Sequence, residues 1–299
     1  MSDTAVAPIV FDEVFLHRLE RLALTLRRSR SGQDIGDRRS PQRGSSVEFA
    51  DFRSYTLGDD LRRVDWNAYA RLGKLFVRLY HDEQNTTLHL LLDTSASMDW
   101  GEGETNKLLW GRRLAAALGY IALAGQDRVV VTTVAAAAVQ RSNLFHGVRS
   151  ARRLFAFLTD QISPGGETDL DTALRQVTSR VRGPAILISD LLCPGWGEAG
   201  LNSLRNAGHD VSVIHCLSPA EMDPSFRGDL RLIDRETGTG RDVTADEHLL
   251  DRYRASLASW RAELAAHCLR QGMAYISART DETLEAIVLG SLRRERVVT

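Results

Sequence analysis

Asp93, Ser95 and Ser97 occupy alternate positions in LLLDTSASMDW, residues 90–100, where an apolar run ends in side-chain oxygens. Two more oxygen donors stand in comparable places: Thr168 in SPGGETDLDTAL, residues 163–174, and Asp190 at the end of AILISD. None of the five is histidine or cysteine. Carboxylate and hydroxyl oxygens are the ligand chemistry of a hard cation, Mg2+ first and Mn2+ on the same grounds, rather than of zinc or copper. Alternation places positions 93, 95 and 97 on one side of an extended segment, so their oxygens can converge. With at most two carboxylates to offset a divalent charge, such an ion keeps room for one anionic oxygen from outside the chain. Taken singly, each residue reads as a helix cap or turn residue. Together, at the ends of strands expected to be neighbours, they point to one cation site.

Those strands belong to a pattern that runs from residue 86 onward. Apolar stretches at 87–94, 128–134, 185–190, 210–216 and 273–277 alternate with helical segments such as KLLWGRRLAAALGYIALAG. This predicts an α/β fold with a mostly parallel sheet covered by helices on both faces. In such sheets ligands collect at the carboxyl ends of the strands, where these five residues fall. Residues 137–141 suit an antiparallel edge strand. RLIDRETGTGRDV, residues 231–243, reads as a β-hairpin inserted near 229–244, ahead of a long helix starting near Ala245.

Upstream, Phe11, Val14, Phe15, Leu19, Leu22 and Leu26 recur at spacings of three and four, the mark of an amphipathic helix that docks on the rest. Residues 27–43 hold six arginines against two aspartates among Gly and Ser, which reads first as a solvated linker and alternatively as an anion-binding arm. Residues 47–83 alternate like half-buried strands around GDDLRRVDWNAYARLG, with Asp59 placed to cap a short helix. The expected division is 1–84 for the helix, Arg-rich loop and β-module, and 85–299 for the α/β domain.

Composition narrows the partners. With 38 basic and 39 acidic residues the formal charge is -1, so no whole-chain field draws it to nucleic acid or an anionic bilayer. Lys74 and Lys107 are the only lysines, a usage that carries no functional weight by itself. Three cysteines without C-x-x-C spacing suggest neither a disulfide framework nor a zinc site, and fit a reducing cytoplasm. No signal-peptide pattern opens the chain and no run of about 18 apolar residues occurs, so a cytoplasmic protein without a membrane span is expected.

D-T-S-A-S, then a threonine in G-G-E-T-D, then an aspartate after an apolar strand, resemble the metal-ion-dependent adhesion site of von Willebrand factor A domains. Ahead of it, EFADFRSYTLGDDLRRVDWNAYARLGKLFVRLYHDEQ resembles the hallmark of the domain-of-unknown-function family numbered 58, as do GHDVSVIHCLSPAEMD and LRLIDRETG. The resemblance implies that Asp93, Ser95, Ser97, Thr168 and Asp190 form a magnesium site, with the serines and threonine touching the metal and an aspartate acting through water. It also implies a non-catalytic binding protein, an adaptor or co-chaperone of a MoxR-type AAA+ ATPase, whose partner supplies an acidic residue to the metal. Many relatives carry membrane segments, from which this sequence departs.

An enzymatic alternative is a magnesium-dependent phosphotransferase or phosphatase of haloacid-dehalogenase type, which also sets an aspartate at the first strand end. Its D-x-D signature fails, because Ser95 stands where the second carboxylate would serve as acid and base. GWGEAG, residues 195–200, matches G-x-G-x-x-G, but no acidic residue ends the next strand to hold a ribose. His89 and His215 lie within apolar strands, where a hydrogen-bonded core role is expected, and Trp66, Trp110 and Trp260 read as core or interface anchors.

Overall fold

The computed structural model describes residues 8–24, 48–56, 64–81, 86–135, 138–162, 165, 169–177, 182–234 and 238–299. In chain order these form α1 (Glu13–Glu20), β1 (Glu48–Ser54), α2 (Trp66–Leu72), β2 (Phe76–His81), β3 (Thr87–Asp93), α3 (Lys107–Ala124), β4 (Arg128–Ala135), β5 (Ala138–Arg141) and β6 (Phe145–His146). There follow α4 (Ala151–Asp160), α5 (Leu170–Gln176), β7 (Pro184–Ser189), α6 (Glu198–Asn206), β8 (Asp210–Leu217) and α7 (Pro219–Met222). The chain closes with β9 (Gly228–Ile233), β10 (Gly240–Ala245), α8 (Glu247–Arg270), β11 (Ala274–Arg279) and α9 (Leu284–Ala286). Contacts divide the chain into a unit of residues 30–85 and a larger one comprising everything else.

In the larger unit, one sheet runs in the order β11-β8-β7-β3-β4-β5, with β6 also on β4. Strands β11, β8, β7, β3 and β4 are parallel, while β5 and β6 join β4 antiparallel. This is the α/β class expected, and it has a physical origin in β3. Every residue of TLHLLLD is buried, as a central strand covered on both faces requires. Leu88, Leu90 and Leu92 join one hydrophobic core with residues of α3 and α4; Leu91 joins a second with residues of α5, α6 and α8.

Helix α3 begins at Asn106, whose side chain caps it by accepting from the Leu109 N–H at 3.0 Å. It lies close over the tips of β3 and β7 because Gly111 has no side chain. A Cβ there would stand 3.1 Å from Leu92 Cδ1 and 3.4 Å from Ile188 Cγ2. Lys107 precedes Gly111 by four residues and shares its face, which aims Lys107 at the ends of those strands.

The sequence grouped the first helix with the β-module; the contacts group it with the larger unit instead. Leu19 is fully buried, the Tyr120 hydroxyl donates to Glu20 at 2.7 Å, and Leu24 bridges to Val298. These partners lie far along the chain, where local periodicity carries no information. The helix is also shorter than its apolar pattern, which extends to Leu26. The inserted hairpin pairs β9 with β10 from Gly240↔Ile233 to Ala245↔Gly228 as a separate two-stranded sheet. Helix α8 then starts on Asp246, which accepts from the Leu249 N–H at 2.7 Å.

Within the smaller unit, β1 and β2 pair antiparallel, with an irregularity between Phe49 and Asp51. Asp65 caps α2, accepting from the Asn67 and Ala68 N–H groups at 2.9 and 3.0 Å. The cap expected at Asp59 and the Arg-rich loop at 27–43 lie outside the described residues. Among the described residues no helix is long and apolar enough to cross a membrane.

Candidate metal centre

Strand β3 ends at Asp93, and the next residue is tied to β4 by the Thr94 N–H donating to the Val134 carbonyl at 2.9 Å. The chain then turns. Met98 N–H donates to the Ser95 carbonyl at 3.2 Å and Asp99 N–H to the Ala96 carbonyl at 3.3 Å. Ser95 and Ser97 meet inside this turn, their hydroxyl oxygens 2.9 Å apart. The extended segment expected to align positions 93, 95 and 97 is therefore replaced by a turn. Strand alternation stops at Asp93, and backbone hydrogen bonds do the gathering.

Asp93 Oδ1 accepts from the Ser95 N–H at 2.9 Å, and Oδ2 accepts from the Ser189 hydroxyl at 2.6 Å. Asp93 and Ser95 are buried, and Ser97 is half-buried. Burial first, and then the negative charge of Asp190, push the Asp93 carboxyl up to about 7.

Asp190 follows β7 and alternates to the opposite side of the sheet from Ser189, towards α3. Its Oδ1 accepts from the Leu192 N–H at 3.1 Å, and its Oδ2 accepts from Lys107 Nζ at 2.6 Å. Between them Leu191 adopts φ 55°, a left-handed conformation uncommon for leucine, and its N–H donates to the Ser189 hydroxyl at 2.9 Å. Backbone strain of this kind gathers at binding and switch sites.

Lys107 Nζ also donates to Glu221 Oε1 at 2.5 Å. Burial works against the ammonium charge, but Asp190 and Glu221 outweigh it and hold the group above its ordinary value. Glu221 in turn closes a capping box on α7: its Oε2 accepts from the Ser218 N–H at 2.7 Å, and its own N–H donates to Ser218 Oγ at 3.3 Å. Beside the turn that carries Ser97 opens a cleft of about 560 Å³, lined on one side by Asp99, Trp100 and Glu102 and on the other by Ser218, Pro219 and Ala220.

The structure thus brings Asp93, Ser95 and Ser97 together at one strand tip, with Asp190 close enough to act on the Asp93 carboxyl. Thr168 lies outside the described residues. Of its surroundings, the Gly165 N–H donates to the Thr94 carbonyl at 3.0 Å, and Asp169 caps α5 through the Thr172 N–H at 3.0 Å. Sequence reasoning missed Lys107, Glu221 and Ser189. A faint signal existed for the first, one of two lysines in a chain otherwise using arginine.

Among the described residues no group of three or more His, Cys, Asp or Glu is placed to hold a metal ion. A cation here would depend on hydroxyls, and the donor set fits one. The Ser95 and Ser97 hydroxyls are hydrogen-bonded to each other at 2.9 Å, a separation that adjacent ligands of an octahedron with ~2.05 Å metal–oxygen bonds also have. Ser95 and Ser97 would hold the ion directly, with Asp93 beside them and Asp190 behind its lysine.

GWGEAG serves packing. A Cβ on Gly200 would lie 2.7 Å from Leu174 Cβ, so α6 rests closely on α5, and the Gly200 N–H donates to Asp171 at 2.7 Å.

Residues 51–263 match the family described as "Protein of unknown function DUF58". The chain belongs to this family. Relatives of this DUF58 chain include the uncharacterized proteins Rv1480 of Mycobacterium tuberculosis and Mb1516 of Mycobacterium bovis, each 30% identical over 267 residues, spanning 88% of this chain and 84% of theirs. Similar solved structures include the conserved hypothetical protein BatB from Bacteroides thetaiotaomicron, with 16% identity, TM-score 0.42, and coverage of 70% of this chain and 96% of that one. The SpRpn10 VWA domain is similar at 9% identity and TM-score 0.37, covering 69% of this chain and 94% of its own.

Proposed function

We propose that this DUF58 protein is a non-catalytic interaction module whose docking point is a magnesium centre of the metal-ion-dependent adhesion type. The observation that carries this reading is the tip of β3: a buried carboxylate, Asp93, beside two hydroxyl oxygens that converge to 2.9 Å. Bound there, the ion would supply an electrophilic position for a carboxylate offered by another protein. The chain's own residues do the rest. Ser189 and the Ser95 N–H orient Asp93, the turn at 95–99 presents Ser95 and Ser97, and the cleft beside Trp100 receives whatever flanks the incoming acid.

In this reading Thr168 completes the ligand set, Asp190 acts through water, and the partner is a cytoplasmic AAA+ ATPase of the MoxR type, as the sequence resemblance implies. Ser95 supports a binding role over phosphoryl transfer, because a dehalogenase-type reaction needs a carboxylate at that position.

The test is affinity capture from native lysate on immobilised protein, with magnesium and with excess chelator, read by mass spectrometry. An AAA+ ATPase recovered from wild type only with magnesium, and lost with Asp93→Ala, is the expected result. Capture of that ATPase that survives both chelator and the mutation would overturn the metal-dependent docking.

A further inference from the structure

Lys107 is fully buried, yet it stands at the first position of α3, where the helix dipole disfavours a cation. An apolar side chain of similar volume commonly serves a fold as well as a buried ion pair does, so stability alone gives little reason for an ammonium there. What the ammonium does is occupy Asp190. One Asp190 oxygen takes Lys107 Nζ and the other takes the Leu192 N–H. Asp93, by contrast, accepts from two neutral donors, Ser95 and Ser189.

We infer that Lys107 sets the cation affinity of the centre and keeps it low by occupying Asp190. The inference rests on the metal reading above and adds the residue that weakens metal retention. Of the charged groups that meet there, Asp93, Asp190 and Glu221 carry three negatives and Lys107 one positive. With the ammonium permanently in place, Asp190 is withheld from direct ligation and the local potential is less favourable to any cation.

The same ammonium reaches the partner surface. Through Glu221 it fixes the capping box of α7, and Ser218, Pro219 and Ala220 line the cleft together with Asp99 and Trp100. The residue that tempers the metal thus also anchors the wall against which a partner lies.

The probe is Mn2+ alone, titrated by calorimetry into wild type, Lys107→Met, Lys107→Arg and the double variant Lys107→Met/Glu221→Gln. The double variant removes the carboxylate that the single change leaves without its cation, and thermal unfolding checks that each protein is folded. Both methionine variants are expected to bind Mn2+ at least tenfold more tightly than wild type, and Lys107→Arg to stay within about threefold of it. Folded methionine variants that bind no more tightly than wild type overturn the inference and leave the metal reading standing. No Mn2+ heat in wild type, in Asp93→Ala or in either folded methionine variant overturns both.

Discussion

The Ser189 hydroxyl donates to Asp93 Oδ2 at 2.6 Å, one residue beyond Leu92 and Ile188, the last paired positions of β3 and β7. Because it also accepts from the Leu191 N–H, the strained turn after β7 and the carboxylate ending β3 are locked to each other. Ser189→Ala removes a hydrogen bond to a charged group, worth about 1.5–3 kcal/mol. It should weaken Mn2+ binding about tenfold or more in calorimetry while the far-ultraviolet circular dichroism spectrum stays unchanged.

Asp93 is buried beside Asp190 with two neutral donors, so its ionised form costs the metal-free fold stability. Asp93→Asn should raise the metal-free unfolding midpoint at pH 8, a gain of at least ~1 kcal/mol, and abolish the response to magnesium. Wild type should gain about 2.7 kcal/mol at a magnesium concentration one hundred times its dissociation constant. Scanning calorimetry with and without magnesium reads both effects; a variant that responds to magnesium like wild type sinks the assignment of Asp93.

Gly200 tests the packing account of the glycine-rich stretch. An added methyl would meet Leu174 Cβ at 2.7 Å and the Asp171 backbone at 3.1 Å, neither of which can swing away cheaply. Gly200→Ala should cost about 1–3 kcal/mol in urea denaturation without changing Mn2+ affinity.

At the opposite end of the sheet, His209 sits edge-on to His89 with ring centroids 4.9 Å apart, its Nδ1 3.2 Å from the Gly183 carbonyl and its buried Nε2 without a partner among the described residues. Burial, with a smaller contribution from Arg182, lowers its folded value below the ordinary 6.5. Below pH 6.5 the unfolded chain therefore takes up the proton first. The stability is complete above that pH and falls as pH drops below it. Urea midpoints between pH 7.5 and 5 should decline less steeply for His209→Gln than for wild type.

Much of this architecture was legible locally. TLHLLLD announces a strand buried on both faces, and its alternation with helical segments implies a parallel sheet whose carboxyl ends carry Asp93 and Asp190. These are consequences of burial patterns a few residues long. Tertiary structure decided the rest. Ser95 and Ser97 converge through a turn closed by backbone hydrogen bonds, which side-chain types alone do not specify. Ser189 is one polar residue in an apolar strand, and only the register of β7 on β3 sets it beside Asp93. Lys107 meets partners 83 and 114 residues away, through a helix that approaches the strand tips because Gly111 allows it. Which carboxylate is paired with an ammonium and which with neutral donors depends on those long-range approaches, because electrostatic interactions follow distance and burial rather than order along the chain.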